Sequence, residues 1–176
     1  MHRLKKNILI SGLPGIGKTT LIKNLIQKLP LRRPIGFYTE EIRYEGERKG
    51  FQAVSLSGEK LILAHVLIQS GYNVGKYKVD VKGFDTFLSN IDFFIDNQRP
   101  VIIDEIGKME CLSGKFIRII SELLDSEITL IATIAHTDGG IKGRIKKRDD
   151  VVLHKMNLDN RDTLLDEILN NLNIPS

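Results

Sequence analysis

Long apolar runs are missing from this 176-residue sequence, and cysteine is almost missing. No apolar run approaches the roughly 20 residues that a membrane-spanning helix requires, which argues against a membrane protein. The one cysteine, Cys111, cannot form an internal disulfide, so the composition fits a reducing compartment. The polar start, Met1 to Lys6, precedes a short strand-like stretch and not the longer apolar region of a signal peptide. We therefore expect a cytoplasmic protein without a membrane segment.

Clustered metal ligands and a strong charge of one sign are also missing. The four histidines show no metal-ligand spacing, which favours structural roles for them. Lysine and arginine exceed aspartate and glutamate by 26 to 22, a net charge of +4. Such a mildly basic protein attracts nucleotides as readily as nucleic acids, so charge does not decide between these partners. The length suits a single domain over residues 1–176 with a sizeable core.

The most informative stretch is Gly12 to Thr19, which reads G-L-P-G-I-G-K-T and matches the G-x-x-x-x-G-K-[ST] pattern of a phosphate-binding loop. An apolar run, Asn7 to Ile10, precedes it, and an amphipathic helical pattern starts at Thr20. In such a loop, backbone N–H groups surround phosphate oxygens, and the helix N-terminus adds a partial positive charge. The sequence therefore predicts a triphosphate site.

Each part of this loop has an expected role. The ammonium of Lys18 would contact the β- and γ-phosphates, and the hydroxyl of Thr19 would hold Mg²⁺. The predicted nucleotide-binding residues are Gly12, Leu13, Pro14, Gly15, Ile16, Gly17, Lys18, Thr19 and Thr20.

Strands dominate the region that follows the first helix, which Pro30 ends. Two strand-like segments flank a turn at Tyr44-Glu45-Gly46-Glu47, which predicts a β-hairpin. The predicted strands of this region are Ile35 to Arg43, Lys49 to Leu56, Lys60 to Val66 and Lys76 to Val81.

The second half of the chain alternates between helical and strand-like patterns, which is typical of a parallel sheet. Apolar spacing predicts helices over Phe84 to Ile95, Phe116 to Leu124 and Leu164 to Leu172. The strands predicted between them are Val101 to Asp104, Ile128 to Ala135 and Val151 to Leu153.

Two carboxylates, Asp104 and Glu105, close the apolar strand that starts at Val101. Alone, the pair is more typical of a helix N-cap or a solvated strand end than of a catalytic site, because strand ends often carry Asp and Glu. A phosphate loop is usually partnered by such a pair across neighbouring strands. Asp104 would then hold Mg²⁺ through water or through Thr19, and Glu105 would orient or deprotonate an attacking water, which points to hydrolysis.

A guanidinium that offsets charge on the transferred phosphoryl group would complete this site. The sequence does not choose among the arginines, and a solvated surface role is the alternative for each of them. The basic segment Lys142 to Arg148 is either a mobile lid over the phosphates or a solvated face. The candidate arginines are Arg43, Arg48, Arg144, Arg148 and Arg161, of which Arg48, Arg148 and Arg161 join Lys18 and Glu105 as predicted catalytic residues.

Beyond these motifs, the stretch Asp104 to Glu110, D-E-I-G-K-M-E, resembles the THEP-type nucleoside-triphosphatase family. The likeness extends over nearly the whole chain, through Gly36 to Arg43, Gly46 to Phe51, Val74 to Asp80, and Asn160-Arg161. It implies a three-layer αβα P-loop fold of the additional-strand type related to RecA, with a mostly parallel sheet and an inserted antiparallel β-hairpin.

The resemblance also implies an activity and a set of roles. The activity is Mg²⁺-dependent hydrolysis of several nucleoside triphosphates to diphosphates, with Asp104 on magnesium and Glu105 as the base. Arg48 and Arg161 fall on positions that the family keeps basic. Lys108 and Glu110 match the family motif, and either a turn-stabilising salt bridge or a catalytic contact would explain them.

We expect broad base tolerance over ATP, GTP, CTP and UTP, because the recognised contacts all address phosphate and metal. One alternative is a small kinase in which Thr39-Glu40-Glu41 holds an acceptor hydroxyl and the segment Lys142 to Arg148 closes over the phosphates. Another is a nucleotide-gated module that binds RNA or DNA. Our expectation is a monomer whose partners are nucleoside triphosphates, with nucleic acid a less favoured partner.

Replacing Lys18 by alanine tests the phosphate loop. Loss of the ammonium should weaken nucleotide binding and abolish turnover, because the charge that offsets the phosphates is removed. Calorimetric titration with a nucleotide and an assay of phosphate release measure the two effects. Unchanged phosphate release would refute the whole site assignment.

Overall fold

The computed structural model describes residues 7–172, so Met1 to Lys6 and 173–176 lie outside the described residues, as does the side chain of Leu31. The strands are β1 (Asn7–Gly12), β2 (Ile35–Tyr44), β3 (Glu47–Ser55), β4 (Lys60–His65), β5 (Asn73–Val74), β6 (Tyr77–Val79), β7 (Val101–Ile106), β8 (Leu130–Ala135) and β9 (Val151–Lys155). The helices are α1 (Lys18–Lys28), α2 (Val81–Ser89), α3 (Gly114–Asp125), α4 (Gly140–Lys146) and α5 (Leu164–Asn171). No helix within the described residues has both the length and the apolar composition needed to cross a membrane.

The described strands form one sheet in the order β5-β6-β4-β3-β2-β7-β8-β1-β9. The five strands from β2 to β9 in this order run parallel to one another. Strand β8 lies between β1, which leads into the phosphate loop, and β7, which carries Asp104. The prediction that the two strands are neighbours is therefore wrong, and the intervening strand agrees with the additional-strand topology that the resemblance implies.

The remaining four strands pair antiparallel and extend the sheet beyond β2. Strands β2 and β3 form the predicted hairpin, and the turn residues Glu45 and Gly46 have φ values of 50° and 80°. Left-handed conformations at both central residues are those of a type I′ turn, whose twist matches a two-stranded ribbon. Strand β6 is shorter than the predicted Lys76 to Val81, and the two-residue strand β5 was not predicted.

Helices cover both faces of the sheet and create two hydrophobic clusters. On one face, α1 and α5 pack against Ile8, Ile10 and Ile131 of the parallel strands. On the other face, α2, α3 and α4 pack over β2, β7 and β8. The predicted three-layer αβα architecture is thus confirmed.

Phe37 of β2 lies at the centre of the second cluster. Its side chain is fully buried and makes edge-to-face contacts with three aromatic rings, with centroid distances between 5.7 and 6.3 Å. Such ring pairs contribute beyond the apolar area that they bury. The three partner rings are those of Phe84, Phe87 and Phe116.

The predicted helix over Phe84 to Ile95 is wrong in extent. Helix α2 begins after Asp80, whose carboxylate accepts a hydrogen bond from the N–H of Gly83, and it ends at Ser89. The apolar spacing continues past this end because Ile91 and Phe93 still pack into the core, although they lie in turns. Phe94 and Ile95 are 43% and 61% exposed, so they do not extend the buried face of a helix.

Replacing Phe37 by alanine should destabilise the protein by about 3–5 kcal/mol, because a large cavity opens among packed rings. Thermal or urea unfolding followed by circular dichroism measures the loss. Phe94→Ala is the matched control, since the exposed ring leaves no comparable cavity and should cost far less. Equal losses in the two variants would contradict the packing described.

Candidate active site

The phosphate loop joins the carboxyl end of β1 to the start of α1. Gly15 and Gly17 have φ values of 78° and 112°, a region that residues with a β-carbon rarely adopt. Gly12 is needed for a different reason, because a β-carbon there would lie 2.8 Å from the carbonyl oxygen of Met156. Helix α1 begins at Lys18, two residues before the predicted Thr20, so the loop runs directly into the helix.

The side chain of Lys18 is buried within the phosphate loop. Its Nζ donates hydrogen bonds to the carbonyl oxygens of Gly12 at 2.9 Å and Leu13 at 3.1 Å. These contacts fix a positive charge beside the backbone N–H groups that open α1. The arrangement is suited to an anion placed at the helix N-terminus.

Asp104 connects α1 to two strands of the sheet. Its Oδ2 accepts a hydrogen bond from Thr19 Oγ1 at 2.7 Å, and its Oδ1 accepts one from Thr133 Oγ1 at 2.5 Å. The backbone N–H of Thr39 on β2 donates a third. The pairing of β7 with β8 slips between Ile103 and Ile106, a bulge of the kind that redirects side chains next to functional sites.

Thr133 and Thr39 were not predicted from the sequence. Thr133 is the hydroxyl-bearing residue in the otherwise apolar strand L-I-A-T-I-A, and this lone polar residue is the signal that could have identified it. The contribution of Thr39 is a backbone group, for which side-chain chemistry offers no signal.

The donor set at Asp104 fits a magnesium ion. A carboxylate and a hydroxyl are the hard oxygen ligands that Mg²⁺ prefers, and this ion is usually held by one or two side chains together with substrate phosphates. Burial raises the pKa of Asp104, while hydrogen bonds from Thr133 and Thr19 oppose that effect. A divalent cation at this carboxyl would hold it in the ionised form.

Glu105 lies beside Asp104 and is half-buried. Burial is the main cause that raises the pKa of its carboxyl, the charge of Lys18 lowers it, Asp104 raises it and Lys142 lowers it. The effect of Lys18 shows that this carboxylate lies within electrostatic reach of the phosphate loop. A carboxyl with a raised pKa is a better proton acceptor than an ordinary surface glutamate.

Glu110 belongs to the same group of acids, although it is buried in the turn after β7. Burial, with the nearby charges of Glu105 and Asp104, raises the pKa of Glu110 to about 8. Lys108 is exposed, and no ion pair joins it to Glu110 within residues 7–172. The structure therefore disagrees with the turn-stabilising salt bridge considered for these two residues.

Comparisons with known proteins agree with this geometry. A family model described as NTPase matches residues 7–169. The nucleoside-triphosphatase THEP1 of Thermotoga petrophila is 47% identical over 163 residues, covering 92% of this chain and 90% of the relative. The cancer-related nucleoside-triphosphatase homolog of Mus musculus is 36% identical, with coverage of 94% and 96%.

The chain belongs to the THEP1 nucleoside-triphosphatase family. The crystal structure of THEP1 from Aquifex aeolicus superposes with a TM-score of 0.85 at 35% identity, covering 93% of this chain and 97% of that one. The solution structure of a human cancer-related nucleoside triphosphatase superposes with a TM-score of 0.76 at 32% identity, with coverage of 95% and 97%. The predicted family, fold and enzyme class are confirmed.

Within this THEP1 fold, Arg148 does not reach the phosphate loop. It precedes β9 at the end of the sheet where β1 begins, since Asn7 pairs with Val151, so the length of β1 separates it from Gly12. Its guanidinium donates to Asp150 and Asp125, both at 2.8 Å. The position of Arg148 therefore disagrees with the catalytic role predicted for it.

Arg48 and Arg161 lie towards the carboxyl end of the parallel strands, the end that carries the phosphate loop. Each of them has partners close by. Arg48 donates to Tyr77 Oη at 3.0 Å and Glu41 at 2.8 Å, and its guanidinium lies over the ring of Phe51. Arg161 follows β9 in a turn, half-exposed, with its Nε 3.5 Å from Asp162. Their catalytic roles remain predictions.

The basic segment Lys142 to Arg148 is mostly the helix α4. Ile145 is buried in the core, and Lys146 Nζ donates to the carbonyl oxygen of His136 at 3.0 Å and to Asp138 at 2.8 Å. The segment is therefore not a wholly solvated face. Lys142, which lies near enough to affect Glu105, was not among the predicted catalytic residues.

Replacing Arg148 by alanine should lower stability and leave turnover within about twofold of the unchanged protein. The carboxylate of Asp150 is buried, and loss of a charged hydrogen-bond partner costs roughly 1–3 kcal/mol. Thermal unfolding and phosphate release measure the two effects, with Arg118→Ala on the exposed surface of α3 as the control. A tenfold fall in kcat without a fall in stability would return Arg148 to the catalytic residues.

Proposed function

We propose that this THEP1-family protein is a Mg²⁺-dependent nucleoside triphosphate phosphohydrolase that accepts ATP, GTP, CTP and UTP. In the reaction, the oxygen of a water molecule bonds to the γ-phosphorus, and the bond from that phosphorus to the β,γ-bridging oxygen breaks. The products are a nucleoside diphosphate and inorganic phosphate. A proton leaves the attacking water as the new bond forms.

One observation carries this proposal: Glu105 lies within electrostatic reach of Lys18. Glu105 directly follows Asp104, which accepts the hydrogen bond from Thr19. Lys18 marks the position of the β- and γ-phosphates in a loop of this kind. A carboxylate within reach of that position can orient a water and take its proton. A water has no binding pocket of its own, so a carboxylate that positions it supports hydrolysis.

The other residues have complementary roles. The loop N–H groups and Lys18 bind the phosphate oxygens and offset the charge that develops on them. Thr19 and Asp104 would hold Mg²⁺, which supplies electrostatic stabilisation of the phosphates when it is bound. Thr133 keeps Asp104 in its orientation through the 2.5 Å hydrogen bond.

The proposed base tolerance follows from the chemistry of these contacts. The loop backbone, Lys18, Thr19 and Asp104 all address phosphate or metal, which every nucleoside triphosphate carries alike. Selectivity for one base would need hydrogen-bonding groups that match the edge of that base.

The kinase alternative is less favoured by the hairpin contacts. Glu40, a suggested partner for an acceptor hydroxyl, accepts hydrogen bonds from Lys23 at 2.6 Å and from Gln52 at 2.9 Å. Glu41 is bound by Arg43 and Arg48, both at 2.8 Å. These partners lower the pKa of both carboxyls, which makes them poor bases for a hydroxyl group.

Free-phosphate release from the four nucleotides, with Mg²⁺ and without an acceptor, tests the proposal. The unchanged protein should release phosphate at similar rates from all four. Glu105→Gln should bind nucleotide nearly normally, while kcat falls roughly 10²–10⁴-fold because the general base is lost. Omitting Mg²⁺ should abolish release from every nucleotide.

Other outcomes would point elsewhere. If Glu105→Gln weakens nucleotide affinity and keeps kcat, Glu105 is a metal or structural ligand. Release that appears only after a nucleoside, nucleotide or other alcohol is added would identify a kinase. Release confined to one nucleotide would refute broad base tolerance and leave hydrolysis standing.

A further inference from the structure

Gly107, in the turn after β7, is surrounded by carboxylate oxygens. Its φ is not left-handed, so backbone conformation does not require a glycine there. A β-carbon on Gly107 would instead lie 2.7 Å from Glu110 Oε2 and 2.8 Å from Glu105 Oε1. Both distances are shorter than van der Waals contact, so these two side chains occupy the space that any other residue would need.

The carboxyl group of Glu110 is held rigidly on one side of this space. It is 5% exposed and accepts backbone hydrogen bonds from its own N–H and from Gly107. The surrounding turn is closed by hydrogen bonds from the N–H of Cys111 to the carbonyl of Gly107 at 3.1 Å and from Ser113 to Glu110 at 3.0 Å. Ser113 in turn caps α3, so Glu110 is anchored to a helix.

The carboxyl group of Glu105 is held differently. Within the described part of the chain, no hydrogen bond or ion pair is made by this side chain. Its surroundings are Gly107 and, at longer range, the charges of Lys18, Asp104, Lys142 and Glu110. Its direction is therefore set by the shape of the space around it.

We propose that Gly107 and Glu110 are positioning residues that direct the Glu105 carboxylate towards the phosphate loop. Gly107 leaves open the volume that Glu105 Oε1 occupies, and the Glu110 carboxylate bounds that volume on another side. This inference rests on the proposed role of Glu105 as the base. It gives a role to Gly107 and Glu110, two residues of the D-E-I-G-K-M-E stretch whose presence phosphate and metal binding do not explain.

Gly107→Ala is the sharpest variant because it tests position without removing a charge. A new methyl group would meet the carboxylate oxygens of Glu110 and Glu105. Glu110 is held by its turn, so the half-buried Glu105 side chain is the one that can rotate away while the backbone stays in place. We therefore expect the variant to fold and to bind nucleotide, with Glu105 displaced. Misplacement of a reacting group by about 1 Å can cost roughly 10²-fold in rate.

The experiment compares Gly107→Ala with Gly114→Ala, a control at the exposed start of α3 where a β-carbon meets no atom within 4 Å. Gly107→Ala should lower kcat at least about tenfold, with nucleotide affinity within about threefold and a nearly unchanged melting temperature. Gly114→Ala should leave all three near the values of the unchanged protein. A normal kcat in Gly107→Ala would overturn the proposal.

A double-mutant cycle separates positioning of Glu105 from a general disturbance. In the Glu105→Gln background, Gly107→Ala should lower the residual kcat less than about threefold, because no base remains to be displaced. The same fold-loss in both backgrounds would show that Gly107 acts independently of Glu105 and would overturn the proposal. If Glu105→Gln alone keeps full kcat, the base assignment itself fails, which is a distinguishable result.

Two variants of Glu110 separate the effect of its size from the effect of its charge. Glu110→Gln keeps the volume beside Gly107 and an acceptor for the backbone N–H groups, whereas Glu110→Ala removes both. The glutamine variant should therefore retain at least about fivefold more kcat than the alanine variant, at similar nucleotide affinity. Equal losses in the two variants would overturn the positioning role of Glu110.

Discussion

The buried carboxyl of Asp104 is the constraint on which the site depends. A carboxylate removed from water is costly unless it is hydrogen-bonded, and here hydrogen bonds arrive from α1, β8 and β2. Each donor comes from a different part of the chain, so the carboxyl fixes the helix behind the phosphate loop against the sheet. The register of β7 against β8 shifts at this point, between Ile103 and Ile106, and Asp104 lies within the shifted segment.

Three acids, Asp104, Glu105 and Glu110, lie close together here, and they differ in their surroundings. Asp104 is fully hydrogen-bonded, Glu110 is buried in a turn, and Glu105 is half-buried without a hydrogen bond of its own in the described residues. Burial first, and then repulsion from the neighbouring acids, raises the pKa of Glu105 and Glu110, while the charge of Lys18 lowers the pKa of Asp104 and Glu105. A divalent cation and a proton acceptor can therefore share one small region, with different side chains serving each.

The two ends of the parallel sheet serve different purposes. At the carboxyl end lie the loop and the acids, whereas at the amino end Arg148 joins Asp125 and Asp150. Arg148 stands in a basic segment beside other candidate arginines, and its sequence position does not reveal that the chain turns back before β9. Phe94 illustrates the same difficulty, since helical spacing of apolar residues persists where the helix has already ended.

Features that depend on neighbouring residues can be predicted from the sequence: the phosphate loop, the Asp104-Glu105 pair, the turn of the hairpin and the alternation of strands and helices. The placement of β8 between β1 and β7, the hydrogen bonds from Thr133 and Thr39, and the crowding at Gly107 become visible only in the folded chain. The difference lies in the range of the interactions involved. Backbone propensity and spacing act over a few residues, whereas Thr19 and Asp104 are 85 positions apart and meet only once the sheet order is set.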